Sequence, residues 1–322
     1  MVWLSGTEKS FAHAEDVMLR IGHLKVSDSS VWRRKETWGE RMKQMEEAQR
    51  EQANTLGSAE AYQARILGSK KRLGVSMDGT MVHIHKEGWK ELKVGCCFEI
   101  DAYPTRVKET GDWEILAHAT HNQYTAHVGG AEVFGQKAWA LAKALGWQEA
   151  CDRQVLGDGA PWIWNQAQEH FFDAQQALDW YHATEHLADV ATLLHGEESP
   201  RAKRWYKAAK TMLYQGRAET LSQAVTKAAE SRPEAIAAEL CKEAAYVQTH
   251  KRRMQYQELR EGRYVIGSGM VECGCKQFKA RFCGPGMRWK RFGIERLIPI
   301  RAAVLGGTFD SVWHAVSNSP PN

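Results

Sequence analysis

The sequence predicts a mixed α/β fold: a central sheet, a small helical region before it, and a large all-helical insertion within it. Three observations carry this. Apolar residues alternate with a period of two in several runs after residue 71, but recur at helical spacing before it. Gly, Lys and Pro punctuation divides the strand region into consecutive hairpins, after which helices and strands alternate. A long stretch from Leu187 to Leu259 is alanine-rich and charged, with few strand formers.

The chain has 322 residues, enough for one large domain or two modest ones, and an ordinary apolar fraction. Its formal charge of +4 is a mild bias that identifies no partner by itself. No apolar run has membrane length, and "MVWLSGTEKSFAHAED" is too polar for a signal peptide. The seven cysteines are odd in number and form no paired CxxC framework. They read as reduced thiols of a cytoplasmic protein; metal binding by Cys273, Cys275 and Cys283 is the less favoured reading.

Residues 1–70 form the first block. "SFAHAEDVMLRIG" has helical spacing and ends on glycine; Ser27 or Asp28 then caps a second helix. Its first turns carry Val31 and Trp32 inward and Arg33 and Arg34 outward. This is a helix-turn-helix-like pattern, with Ser29, Ser30, Arg33 and Arg34 where a recognition helix meets DNA. An ordinary helical hairpin with a solvated basic face fits the same residues.

Residues 71–186 form the second block. "RLGVSMDGTMVHIH", "KELKVGCCFEIDAY" and "WEILAHATHNQY" are three strands. "AEVFGQKAWALAKALG" is a helix stopped by glycine. "DRQVLGDG" is a fourth strand, and "APWIWNQAQEHF" a helix with proline in its first turn. "DAQQALDWYHATEHLADVATLLHG" opens with a fifth strand and passes into a helix. Three antiparallel strands, helix, strand, helix, strand is the ribonuclease H order.

In that order the first and fourth strands are neighbours. Asp78 lies on the first and Asp158 ends the fourth. Facing carboxylates repel unless a cation separates them, and Mg²⁺ takes such oxygen ligands. Each aspartate alone is also an ordinary turn residue; the matched pair is the stronger signal. Gly157 and Gly159 read as room for a metal and a phosphate. Trp162 and Trp164 read as packing.

Residues 187–262 are the all-helical insertion, and residues 263–322 return to the core. There Glu272 sits just inside a helix opened by a Gly-Ser-Gly turn, with Lys276 and Lys279 on its face. Arg281, Arg288, Lys290 and Arg291 follow, interleaved with Phe278, Phe282, Trp289 and Phe292, a mix suited to DNA backbone and unstacked bases. Salt bridging and core packing is the plainer reading, favoured for the aromatics; for Lys276 and Lys279 phosphate contact is favoured.

"SMDGTMV", "LGDGAPWIWN", "LDWYHATEHL" and "GSGMVECGCKQFKARFCGPGMRWKRFG" together resemble DDE transposases of bacterial insertion sequences, specifically the ISKra-type group related to Mutator-like enzymes. The resemblance covers about Lys71 to Trp313, and the N-terminal helices resemble the helix-turn-helix preceding that group's core. It implies that Asp78, Asp158 and Glu272 are metal-binding catalytic acids. Two Mg²⁺ (or Mn²⁺) ions would lie roughly 3.5–4 Å apart, cutting element ends and joining them to target DNA. It also implies that Asp179 and His182 form the accessory Asp-x-x-His motif, which either contacts DNA or braces the site. Trp289 matches a position used for packing or DNA-end stacking.

The implied partners are terminal inverted repeats, target DNA and a second copy of the chain, with no membrane. The Cys-Gly-Cys after Glu272 is less polar than in that group, and Gly274 weakens the helix holding the third acid. Longer members carry a cysteine-containing N-terminal region without counterpart in this sequence. Two other readings stay open: a truncated or impaired DNA-binding remnant or regulator, and a nuclease that cuts without joining.

Overall fold

The computed structural model describes residues 1–55, 70–107 and 111–319. The end of the first predicted block, residues 56–69, lies outside the described residues. Five strands form one sheet: β1 Arg72–Ile84, β2 Gly88–Arg106, β3 Trp113–Val128, β4 Asp152–Gly157 and β5 Gln175–Leu178. Their spatial order is β3-β2-β1-β4-β5. β1 to β3 pair antiparallel, whereas β4 runs parallel to both β1 and β5. This is a ribonuclease H-like sheet, as the strand order predicts.

Burial explains why the strands differ in pattern. Leu73 to Met77 of β1 and Arg153 to Gly157 of β4 are buried without alternation, because helices cover both faces there. On β2 the neighbours Val94 and Gly95 point to opposite faces, as successive strand residues must. Gly95 lies under Phe134 of α4 (Ala131–Ala144), while Val94 lies under Gly274 of α11 (Gly269–Phe282). Helix α5 (Pro161–His170) joins α4 on its face, with Trp162 edge-on to Phe134 at 5.5 Å and Trp164 buried.

The predicted insertion, residues 187–262, takes in the latter half of α6 (Trp180–His195) with α7 (Pro200–Tyr214), α8 (Ala218–Ala229), α9 (Glu234–His250) and α10 (Tyr256–Glu261). It has a small core of its own, built from Val190, Leu194, Val225, Ala229, Leu240 and Ala244. Ser222 Oγ donates to the Ala244 carbonyl at 2.8 Å and ties α8 to α9.

The N-terminal helices are α1 (Val2–Thr7), α2 (Phe11–Arg20) and α3 (Asp28–Thr55). Helix α3 is 28 residues long and packs along α12 (Arg291–Leu305) and α4. Arg296 of α12 pairs with Glu36 and Glu40 of α3, each at 2.6 Å, and Lys137 of α4 meets Glu46 at 2.8 Å. Val31 points inward as predicted, but Trp32 does not: it is 44 % exposed. The next inward position after Val31 is Lys35, whose ammonium donates to the Gly293 carbonyl at 3.2 Å and pairs with Glu36. A four-residue step keeps one helical stripe; the adjacent Trp32 falls off it. Helix α13 (Phe309–Asn318) completes this end.

Candidate metal centre

Two adjacent parallel strands set the floor of the site. Met77 pairs with Gly157, so Asp78 and Asp158 are the next residues on strands about 4.8 Å apart. Asp78 Oδ1 accepts from the Gly79 amide at 2.6 Å, and Asp158 Oδ1 accepts from the Ala160 amide at 2.9 Å. In each case the second oxygen has no backbone partner. Burial raises the Asp78 carboxyl above its usual range, and the neighbouring Asp158 charge adds to the rise. Such a pair retains its charge most easily beside a cation.

Helix α11 roofs the site. Its approach to the sheet depends on Gly274: a Cβ there would sit 2.6 Å from the Tyr124 ring. The Tyr124 hydroxyl also donates to the Met270 carbonyl at 3.1 Å. The glycine that weakens α11 in isolation is thus what lets the helix lie close on β2 and β3. One turn after Glu272, Cys275 faces the aspartates. Burial pushes its thiol pKa up, and Asp78, Glu272 and Asp158 push it further.

The start of α6 forms the third wall. Asp179 is fully buried and caps that helix. Its Oδ2 accepts from the His182 amide at 2.8 Å and lies 3.0 Å from His182 Nδ1; its Oδ1 accepts from the Ser268 amide at 2.5 Å. Burial alone would raise this carboxyl, but these hydrogen bonds outweigh it and hold the pKa below the usual range. The bond from Asp179 lifts His182 to about 9, and the Asp158 charge contributes. Ser268 Oγ donates to Glu272 Oε1 at 3.0 Å, so one serine ties Asp179 to the third acid.

Asp179, His182 and Glu272 bring ligand atoms within 4.8 Å of one another, a set able to hold one divalent cation. The three are not equal donors. The Asp179 carboxylate already accepts from nitrogen donors on both oxygens. Glu272 is half-buried and carries one hydroxyl donor and a loose 3.5 Å approach from Lys276. Carboxylates such as Asp78, Asp158 and Glu272 are the donor type a hard cation takes, but among the described residues the cluster whose ligand atoms all lie within 4.8 Å is Asp179, His182 and Glu272.

The other predicted residues divide into two sets. Arg33, Arg34, Lys276, Lys279 and Arg288 are exposed. Arg281 and Trp289 are buried, at 2 % and 8 % exposure. Arg281 Nε donates to the Ser5 carbonyl at 3.0 Å, and its guanidinium lies over the Phe11 and Trp289 rings. Burial lowers its pKa to about 10. The predicted DNA contact of Arg281 is corrected: the folded N-terminal helices cover it. Trp289 occupies a packed position beside Phe11 and Phe282.

Gly157 and Gly159 do not open space for a ligand as expected. Ile163 fills the place of a Gly157 Cβ, and the Tyr246 hydroxyl lies 2.6 Å from that of Gly159. Sequence reasoning also passed over Ser268 and Tyr246, and weighed Cys275 only as a less favoured metal ligand. Ser268 and Cys275 lie one helical turn either side of Glu272, a spacing that marks them as its neighbours. Tyr246 has no local signal, since it comes from the insertion.

No family model and no curated protein matches the chain. Its architecture is of the generic ribonuclease H-like, DDE-superfamily kind, and its acidic and histidine cluster beside the sheet is consistent with a metal-dependent nuclease-type mechanism. Among the described residues no helix is long and apolar enough to cross a membrane.

Proposed function

We propose that the chain is a DNA transposase of the ISKra-like DDE type, cleaving element ends and transferring the freed strand into target DNA. The observation that carries this reading is the placement of Asp78 on β1 and Asp158 just past the end of β4, each following the paired Met77 and Gly157, beside the helix that bears Glu272. The helical insertion between Asp158 and Glu272 supports it further.

In this reading Asp78, Asp158 and Glu272 hold two Mg²⁺ or Mn²⁺ ions. When bound, such ions activate a water or 3′-hydroxyl and neutralise charge developing on the phosphodiester. The chain's own residues do the rest. Asp78 and Asp158 present their carboxylates from neighbouring strands in the middle of the sheet. Ser268 orients Glu272, and Asp179 holds His182 protonated, a cation beside Asp158 able to meet a phosphate oxygen. Exposed Lys276, Lys279 and Arg288, with Arg33 and Arg34 on α3, supply backbone contacts to DNA. A second copy of the chain would bring the two element ends together.

The test mixes purified protein, Mg²⁺ or Mn²⁺, and labelled duplex carrying the inverted repeats that flank the reading frame. Cleaved and joined products are expected. Cleavage without joining identifies a nuclease instead, and binding without cleavage a DNA-binding remnant.

A further inference from the structure

One side chain of the helical insertion, Tyr246, touches the backbone of Asp158 directly. Tyr246 lies on α9, and its hydroxyl donates to the backbone carbonyl of Asp158 at 3.0 Å. The next residue, Gly159, has φ +104°, a conformation that favours glycine, and packs against the same hydroxyl and ring. The Tyr246 ring stacks on His186 of α6, with centroids 3.7 Å apart and planes at 26°. His186 Nδ1 in turn lies 2.7 Å from Glu243 Oε2, one turn before Tyr246 on α9. The ring is therefore held between α6 and α9. Burial raises the phenol pKa further above its ordinary value.

The Asp158 turn has two other constraints. Its carboxylate Oδ1 accepts from the Ala160 amide, closing a short side-chain turn. Its chain enters from β4, where Gly157 O accepts from the Asp179 amide at 2.8 Å. Carbonyl, carboxylate and incoming strand are thus each held, and only the carbonyl is held by the insertion.

We infer that Tyr246 is a positioning residue for Asp158: its hydroxyl orients the turn so that the free carboxylate oxygen faces the metal centre. This rests on the metal-centre reading of Asp158 proposed above. A chain folded without its insertion docked would keep all three acids and lose the orientation of one. The insertion then serves as a structural part of the site as well as a spacer between the second and third acids.

The test compares Tyr246→Phe, which keeps the ring, with Tyr246→Leu, which loses it, both in the full chain. Two readouts are taken: backbone amide exchange at Gly159 and Ala160 without metal, and Mn²⁺ affinity. Loss of one buried hydrogen bond predicts about tenfold faster exchange and about tenfold weaker Mn²⁺ binding in Tyr246→Phe. Cleavage by this variant should lose kcat while KM for DNA stays unchanged. If Tyr246→Phe matches wild type in exchange and affinity while Tyr246→Leu does not, the ring only packs and the inference is overturned. If the wild-type chain binds no Mn²⁺, the metal reading fails. The exchange arm then decides separately whether Tyr246 orders the turn.

Discussion

Asp78 on β1 and Asp158 at the end of the neighbouring parallel strand β4 each follow a residue of the same pair, Met77 and Gly157. Asp78 has a carboxyl raised by burial and by the Asp158 charge. In metal-free protein this costs stability at neutral pH, because the folded state resists ionising Asp78. The sign is the reverse of a salt-bridged aspartate: stability rises as pH falls toward the raised pKa. Asp78→Asn should therefore be at least as stable as wild type in EDTA. Saturating Mg²⁺ should stabilise only the wild type, by about 2.7 kcal/mol at a hundredfold excess over Kd. Thermal unfolding with and without Mg²⁺ checks both.

Asp158→Asn and Glu272→Gln should each keep the circular dichroism spectrum of the wild type and abolish Mg²⁺-dependent strand cleavage. Wild-type nicking by either variant removes that acid from the proposed site.

Gly274→Ala places a methyl 2.6 Å from the Tyr124 ring. Overpacking of this kind costs about 1–3 kcal/mol. The strain would lift α11 from the sheet and carry Glu272 with it. Urea unfolding should show the loss of stability, and Mn²⁺ titration a weaker site; a gain in helix stability with unchanged metal affinity would contradict this.

The His182 pKa is raised to about 9 by Asp179, against 6.5 for a free histidine. The stability this pair contributes is fully present below about pH 6.5 and is lost as pH rises through about 9. In EDTA, unfolding midpoints should decline across that window in wild type and decline less in His182→Ala. A proton NMR titration of the imidazole gives the pKa directly. Asp179→Ala removes the α6 cap and the acceptor for Ser268, and should cost about 3 kcal/mol.

Arg288→Ala and Lys276→Ala should weaken DNA binding for all sequences and lower the salt slope by about one each. Arg281→Ala should instead destabilise the fold, because Arg281 is packed between Phe11 and Trp289. Fluorescence anisotropy at several salt concentrations, beside denaturant titration, separates the two kinds of arginine.

Strand order, the all-helical insertion and the neighbouring places of Asp78 and Asp158 were legible from the sequence, because they follow from local period, turn residues and right-handed βαβ connection. Cap positions were legible for the same reason: they depend on a few adjacent residues. What the tertiary structure decided depends on contacts between distant segments. Arg281 and Trp289 look alike with Arg288 in the chain, yet α1 and α2 fold over the first two and leave the third in water. Gly274 reads as a helix weakness until Tyr124 is seen beneath it. Gly159 reads as an opening until Tyr246, 87 residues away in the chain, is found against it. Periodicity specifies which face of an element is buried; only packing specifies what buries it.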